Sequence, residues 1–103
     1  MKVVLMKAVV DRFERVVRAG GWGVMSAYNG VNGLPMAANG PIQIGILKDE
    51  WGFDGVVVSD WWGTKSTVPS ALGGLDLEMP GAPIHFDEKL LAAKLSVPAN
   101  ARF

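Results

Sequence analysis

The chain has 103 residues, half of them hydrophobic, and ten basic side chains balance ten acidic ones. That is the composition of one small globular domain; it argues against a disordered tail, and no basic cluster is present to neutralise the phosphates of a nucleic acid. With no cysteine there is neither a disulfide framework nor a thiolate metal site.

The opening Met1-Lys2-Val3-Val4-Leu5-Met6 starts like an export signal, but Lys7, Asp11 and Arg12 interrupt it. No apolar run approaches the ~18 residues of a membrane span, so the chain is expected to be soluble, with no legible address. Its compartment is left open. Residues Lys2 to Ala19 carry helical periodicity, with Val3, Met6, Val9, Val10, Phe13, Val16 and Val17 on one face and Lys7, Asp11, Arg12, Glu14, Arg15 and Arg18 on the other. Gly20-Gly21 ends that helix. Val24 to Ala27 reads as a short strand running to Tyr28 and Asn29, and a loop rich in Gly, Pro and Asn extends from Gly30 to Pro41.

Ile42 to Trp51 reads as a second helix with Ile42, Ile46, Leu47 and Trp51 as its buried stripe. Val56-Val57-Val58-Ser59 is too short for a helix and reads as a strand buried on both faces, the kind found in parallel sheets covered by helices. Thr64 to Leu72 is a weaker helix because Pro69 fits only its first turn or a kink. Leu75 to Met79 is a third candidate strand, stopped by Pro80-Gly81, and Asp87 opens a helix that runs to Leu95. Ser96 to Phe103 shows no pattern. Strands alternating with helical stretches predict an α/β fold with about three parallel strands. Such a set is either a small open sheet or a slice of a (β/α)8 barrel, which takes about 250 residues when complete.

Asp60 falls where the valine strand ends, and the carboxyl ends of strands are where α/β proteins place their chemistry. The flat faces of Trp61 and Trp62 beside a carboxylate suit a sugar ring. The same aspartate read structurally is a cap for the next turn or helix.

Three stretches carry a resemblance to glycoside hydrolase family 3, the β-glucosidase-like enzymes. They are Ser26-Ala27-Tyr28-Asn29 with Val31-Asn32-Gly33 and Pro35; Glu50 to Gly55 running into Val57-Val58-Ser59-Asp60-Trp61; and Gly74-Leu75-Asp76-Leu77-Glu78-Met79-Pro80-Gly81. The resemblance covers roughly Ala19 to Lys94. The chain is similar to the last three βα units of that family's N-terminal (β/α)8 barrel domain, which implies that residues 1–103 are a fragment of it, with 96–103 an atypical tail.

The resemblance implies a retaining β-glycosidase in which Asp60 is the catalytic nucleophile. Such an enzyme needs a second carboxyl group about 5–5.5 Å away to protonate the leaving oxygen, and hydrogen-bond donors around the nucleophile favour its ionised form. Tyr28 matches the tyrosine that sits against the nucleophile, although a packing aromatic is its alternative. Trp61 matches a pocket-lining aromatic of the glucosidase-like members, which favours glucosidase or xylosidase over N-acetylglucosaminidase activity. Met25 resembles a position near the sugar, with a place in the core as its alternative. Trp62 departs from the small residue expected there and reads as core. Asp76 and Glu78 read as structural, on the side opposite Leu75, Leu77 and Met79 by strand alternation. His85 is a loop residue with no second ligand at metal spacing. The implied partners are a β-linked glucoside or oligosaccharide and the remainder of the hydrolase, with its upstream strands and its acid/base. No membrane or nucleic-acid partner is implied, and carboxylate-based hydrolysis needs no metal or organic cofactor.

Overall fold

The valine run does form a strand, and what it pairs with sets the architecture. The computed structural model describes residues 2–95, with side chains from Val10 to Lys94. Helix α1 (Lys2–Arg18) comes first. It ends in a Schellman motif: Gly20 adopts φ +94°, its N–H returns to Val17 O at 3.0 Å and that of Gly21 to Val16 O at 3.0 Å. Strand β1 (Gly23–Ser26) follows. The stretch read as loop contains a hairpin of two-residue strands, β2 (Gly30–Val31) and β3 (Leu34–Pro35), turned through Asn32 and Gly33, both with positive φ.

A short 3-10 turn (Met36–Ala38) leads into a wide helix, Pro41–Glu50, whose π-type winding is seen where Trp51 N–H reaches back five residues to Ile46 O at 2.9 Å. Asn39 joins the two: its Nδ2 donates to Val31 O at 3.1 Å, and its Oδ1 accepts Ile42 N–H at 3.2 Å. The wider winding rotates the expected stripe. Gln43 and Leu47 are buried, whereas Ile42, Ile46 and Trp51 are only half-buried.

Strand β4 (Val56–Ser59) lies parallel to β1, with Val24 opposite Val57 and Ser26 opposite Ser59. Val57 and Ser59 face a core of Ala37, Leu47, Phe53 and Leu75, against which Val17, Val24, Trp51 and Phe86 pack. Among the described residues the other face is open: Val56 is 48% exposed, so the run is not buried on both sides. Gly55 precedes it where no side chain fits, because a Cβ would run into the Trp22 carbonyl. On α1, Val17 alone of the four apolar stripe residues with described side chains packs on the core, while Phe13 and Val16 are exposed. Val3, Met6 and Val9 lie outside the described side chains.

The third expected strand is reduced to a single parallel bridge, Val58 to Leu77. Side chains replace the ladder at both ends. Val57 N–H goes to Asp76 Oδ2 at 2.9 Å, and Met79 N–H goes to Ser59 Oγ at 3.0 Å. Strand alternation fails with it: Leu77 is exposed and Glu78 buried. Helix α2 (Val68–Leu72) is shorter than expected and holds Pro69 in its first turn. Helix α3 (Glu88–Leu95) is capped by Asp87, whose Oδ1 accepts Lys89 N–H at 2.9 Å; that bond above all holds the Asp87 carboxyl below the ordinary carboxylate range. The tail 96–103 lies outside the described residues. Among the described residues no helix is long and apolar enough to cross a membrane.

Candidate active site

Asp60 extends the parallel ladder by one residue, donating its N–H to Ser26 O at 3.2 Å. By alternation it falls on the face of Val58 and Met25, which are partners in the register. The chain then reverses in a β-turn, Asp60-Trp61-Trp62-Gly63, closed by Gly63 N–H to Asp60 O at 2.7 Å. Gly63 is buried against the Asp60 backbone, where a Cβ would come within 3.1 Å of Asp60 O and 3.3 Å of Asp60 N.

Tyr28 reaches the same turn from the end of β1. Its hydroxyl donates to Trp61 O at 2.8 Å. Partial loss of solvent and the Asp60 carboxylate beside it, through hydrogen bonding and charge, both push the phenol above its ordinary range. The phenol therefore stays neutral, a proton donor, near neutral pH. Met25, Tyr28, Trp61 and Trp62 are all 50–60% exposed. The structure thus brings Asp60, Tyr28 and Trp61 together at the carboxyl ends of two parallel strands, with Met25 one layer below.

Trp62 is not core. It sits at the third position of the turn with φ +62°, a conformation that favours glycine. Its N–H donates to Met79 O at 2.9 Å, and Lys65 Nζ donates to its carbonyl at 3.0 Å. Its ring stands edge-on to that of Trp61, with centroids 5.9 Å apart and planes at 79°. The small residue expected from the resemblance agrees with the positive φ found here, and the tryptophan that takes its place keeps its ring exposed.

Two further carboxylates are structural. Glu78 is buried, and its oxygens accept the N–H groups of Ile84 (3.2 Å), His85 (2.9 Å) and Phe86 (2.7 Å). Asp76 binds Lys48 Nζ at 2.9 Å as well as Val57 N–H. His85 lies in the loop after Pro80, and among the described residues no group of His, Cys, Asp and Glu is placed to hold a metal ion.

Parallel strands joined by a helical crossover, with a carboxylate and aromatics at their carboxyl ends, define an α/β unit of the kind found in barrels and open sheets. Residues 2–76 match the N-terminal domain of glycosyl hydrolase family 3, and the chain belongs to that family. It is 50% identical over 80 residues to a β-glucosidase of Rhizobium radiobacter, a match covering 78% of this chain and 10% of the relative. The structure of a GH3 β-glucosidase from Bifidobacterium adolescentis superposes with a TM-score of 0.74 at 39% identity, covering 82% of this chain and 12% of that one. The β-glucosidase D2-BGL from Chaetomella raphigera gives 0.77 at 34%, covering 87% and 13%. The fold is α/β, part of a (β/α)8 barrel, and the chain spans about a tenth of the length of these relatives.

Proposed function

We propose that the chain supplies the nucleophile half of the active site of a retaining β-glycosidase acting on β-linked glucosides. One arrangement supports the reading: a carboxylate at the carboxyl end of a parallel strand, beside a tyrosine and a tryptophan that hydrogen-bond to each other, in a chain half identical over 80 residues to a β-glucosidase. Asp60 attacks the anomeric carbon as the bond to the leaving oxygen breaks, and that oxygen takes a proton from an acid elsewhere in the polypeptide. Water then cleaves the glycosyl ester, releasing the sugar and restoring the carboxylate. Met25, Tyr28 and Trp61 line the sugar pocket.

A 2-deoxy-2-fluoro-β-glucoside with a good leaving group tests the assignment in the full-length polypeptide that carries these residues. Its sugar mass is expected on the peptide containing Asp60; an adduct on another carboxylate overturns the reading.

A second reading applies to the residues on their own. Among the described strands β1 pairs only with β4, and Met25 and Val56 lie exposed on the uncovered face. By itself the chain is then a non-catalytic piece of a family 3 N-terminal barrel domain, keeping part of a sugar-contacting surface.

A further inference from the structure

Three Asn-Gly steps fall in the connection that begins after Tyr28: Asn29-Gly30, Asn32-Gly33 and Asn39-Gly40. Such a step is chemically weak, because glycine offers a backbone nitrogen with no side chain to hinder its attack on the preceding amide. In an unfolded chain the three are near equals. The fold makes them unequal.

Asn39 is shielded. It is 2% exposed, its Nδ2 donates to Val31 O, and its Oδ1 accepts Ile42 N–H. Gly40 already has helical dihedrals at the start of the wide helix, and Asn39 O accepts Gln43 N–H at 2.8 Å. Asn29 is held less firmly: its carbonyl accepts Met36 N–H at 3.2 Å, and Gly30 lies in β2, where a Cβ would stand 3.1 Å from Leu34 O. Turning either of these peptide planes toward its amide breaks a hydrogen bond. Asn32 has no such hold. With Gly33 it forms the centre of the hairpin turn, at φ +52° and +83°, and both residues are exposed. A Cβ on Gly33 would meet nothing within 4 Å, and among the described residues the Asn32 amide makes no hydrogen bond. The strands on either side pair over two residues each, a ladder short enough to open locally.

We propose that Asn32 is a modification site, an asparagine that converts to aspartate and isoaspartate in the folded protein ahead of the other two. When the hairpin opens, the Gly33 backbone nitrogen bonds to Asn32 Cγ. The Cγ–Nδ2 bond breaks, and ammonia leaves with the proton that the Gly33 nitrogen gives up. Water then opens the cyclic imide. Cleavage of the new bond at Cγ leaves aspartate; cleavage of the original peptide bond leaves isoaspartate, with Gly33 joined through the side chain. Either product adds a negative charge, and the second lengthens by one carbon the turn that sets the hairpin's register. The proposal does not depend on the chemistry at Asp60.

The test is peptide mapping by mass spectrometry of the full-length polypeptide held at mildly alkaline pH, folded and in urea. Trypsin releases residues 19–48 as one peptide that carries all three steps, so their rates are compared within one species. Folded, Asn32 is expected to convert at least about tenfold faster than Asn39, with Asn29 between them; in urea the three rates converge. An Asn32 that keeps its amide while the urea sample converts overturns the proposal, as does conversion led by Asn29 or Asn39 in the folded sample. Asn32→Gly gives a second reading, since Gly-Gly suits the same turn. Its folded 19–48 peptide is expected to lose most of the conversion seen in wild type; conversion at the wild-type rate places the reaction elsewhere and overturns the proposal.

Discussion

Tyr28 is the sole tyrosine in the sequence, so its ionisation can be followed as one phenolate transition. Loss of solvent and the Asp60 carboxylate raise its pKa in the folded state. A raised pKa stabilises the neutral form, so the contribution to folding is complete below the unfolded value of about 10 and is lost as pH rises through the folded value. The expected titration lies above that of free tyrosine and moves part of the way back in Asp60→Asn, since that change removes the charge but not the loss of solvent. A midpoint identical in both proteins means that the carboxylate does not face the phenol. Glu78 makes the contrast clear. It is a carboxylate in the same C-terminal half of the chain, yet three backbone N–H groups occupy its oxygens. Asp60 stands instead beside the Tyr28 phenol and two exposed aromatic rings.

Among the elements, the contact between Asp76 and β4 helps to hold the strand that ends at Asp60. Val57 is fully buried, and its N–H is satisfied by Asp76 Oδ2 in place of a strand carbonyl. Asp76→Ala leaves that group unpaired and is expected to cost about 1–3 kcal/mol in urea unfolding. Asp76→Asn keeps an acceptor and loses the ion pair to Lys48, for about 1 kcal/mol or less. Equal losses would mean that the ion pair, and not the backbone bond, is what holds the strand.

This contact also explains what the sequence reveals and what it conceals. The run Val56–Ser59 is legible because three valines bounded by Gly55 and Ser59 leave few alternatives. Leu75 to Met79 looks like a strand for the same reason, but Asp76 and Ser59 take over the ladder with their side chains, which no apolar pattern reports. The helix Pro41–Glu50 is legible as a helix and not in its facing: the wide winding buries Gln43, whose Nε2 binds Ala37 O and Gly73 O, in place of Ile42. Two-residue strands such as Gly30–Val31 are too short to leave a period. The strand-end position of Asp60 is legible from the valine run, whereas the positive φ of Trp62 leaves no signal in the apolar pattern.

At the scale of the whole molecule, apolar surface and strand edges are left open among the described residues. Among the described strands β1 has one partner, and Phe13 and Val16 of α1 and Met25 and Val56 of the sheet are exposed. Open strand edges invite association with other chains. The isolated 103 residues are expected to form oligomers or to precipitate, as read by light scattering; a clean monomer across concentrations would contradict the view that these surfaces are made to be covered. The hydrogen bond from Tyr28 to Trp61 joins residues 33 positions apart, across a hairpin, a wide helix and the strand β4. Contacts of such separation form only after the entropy of closing the loop has been met. Local helix formation cannot set this pair, and the pair cannot form before the crossover is complete. The Tyr28–Trp61 contact is accordingly expected among the last that this stretch of chain acquires on folding, and tyrosine-to-tryptophan energy transfer would time its arrival.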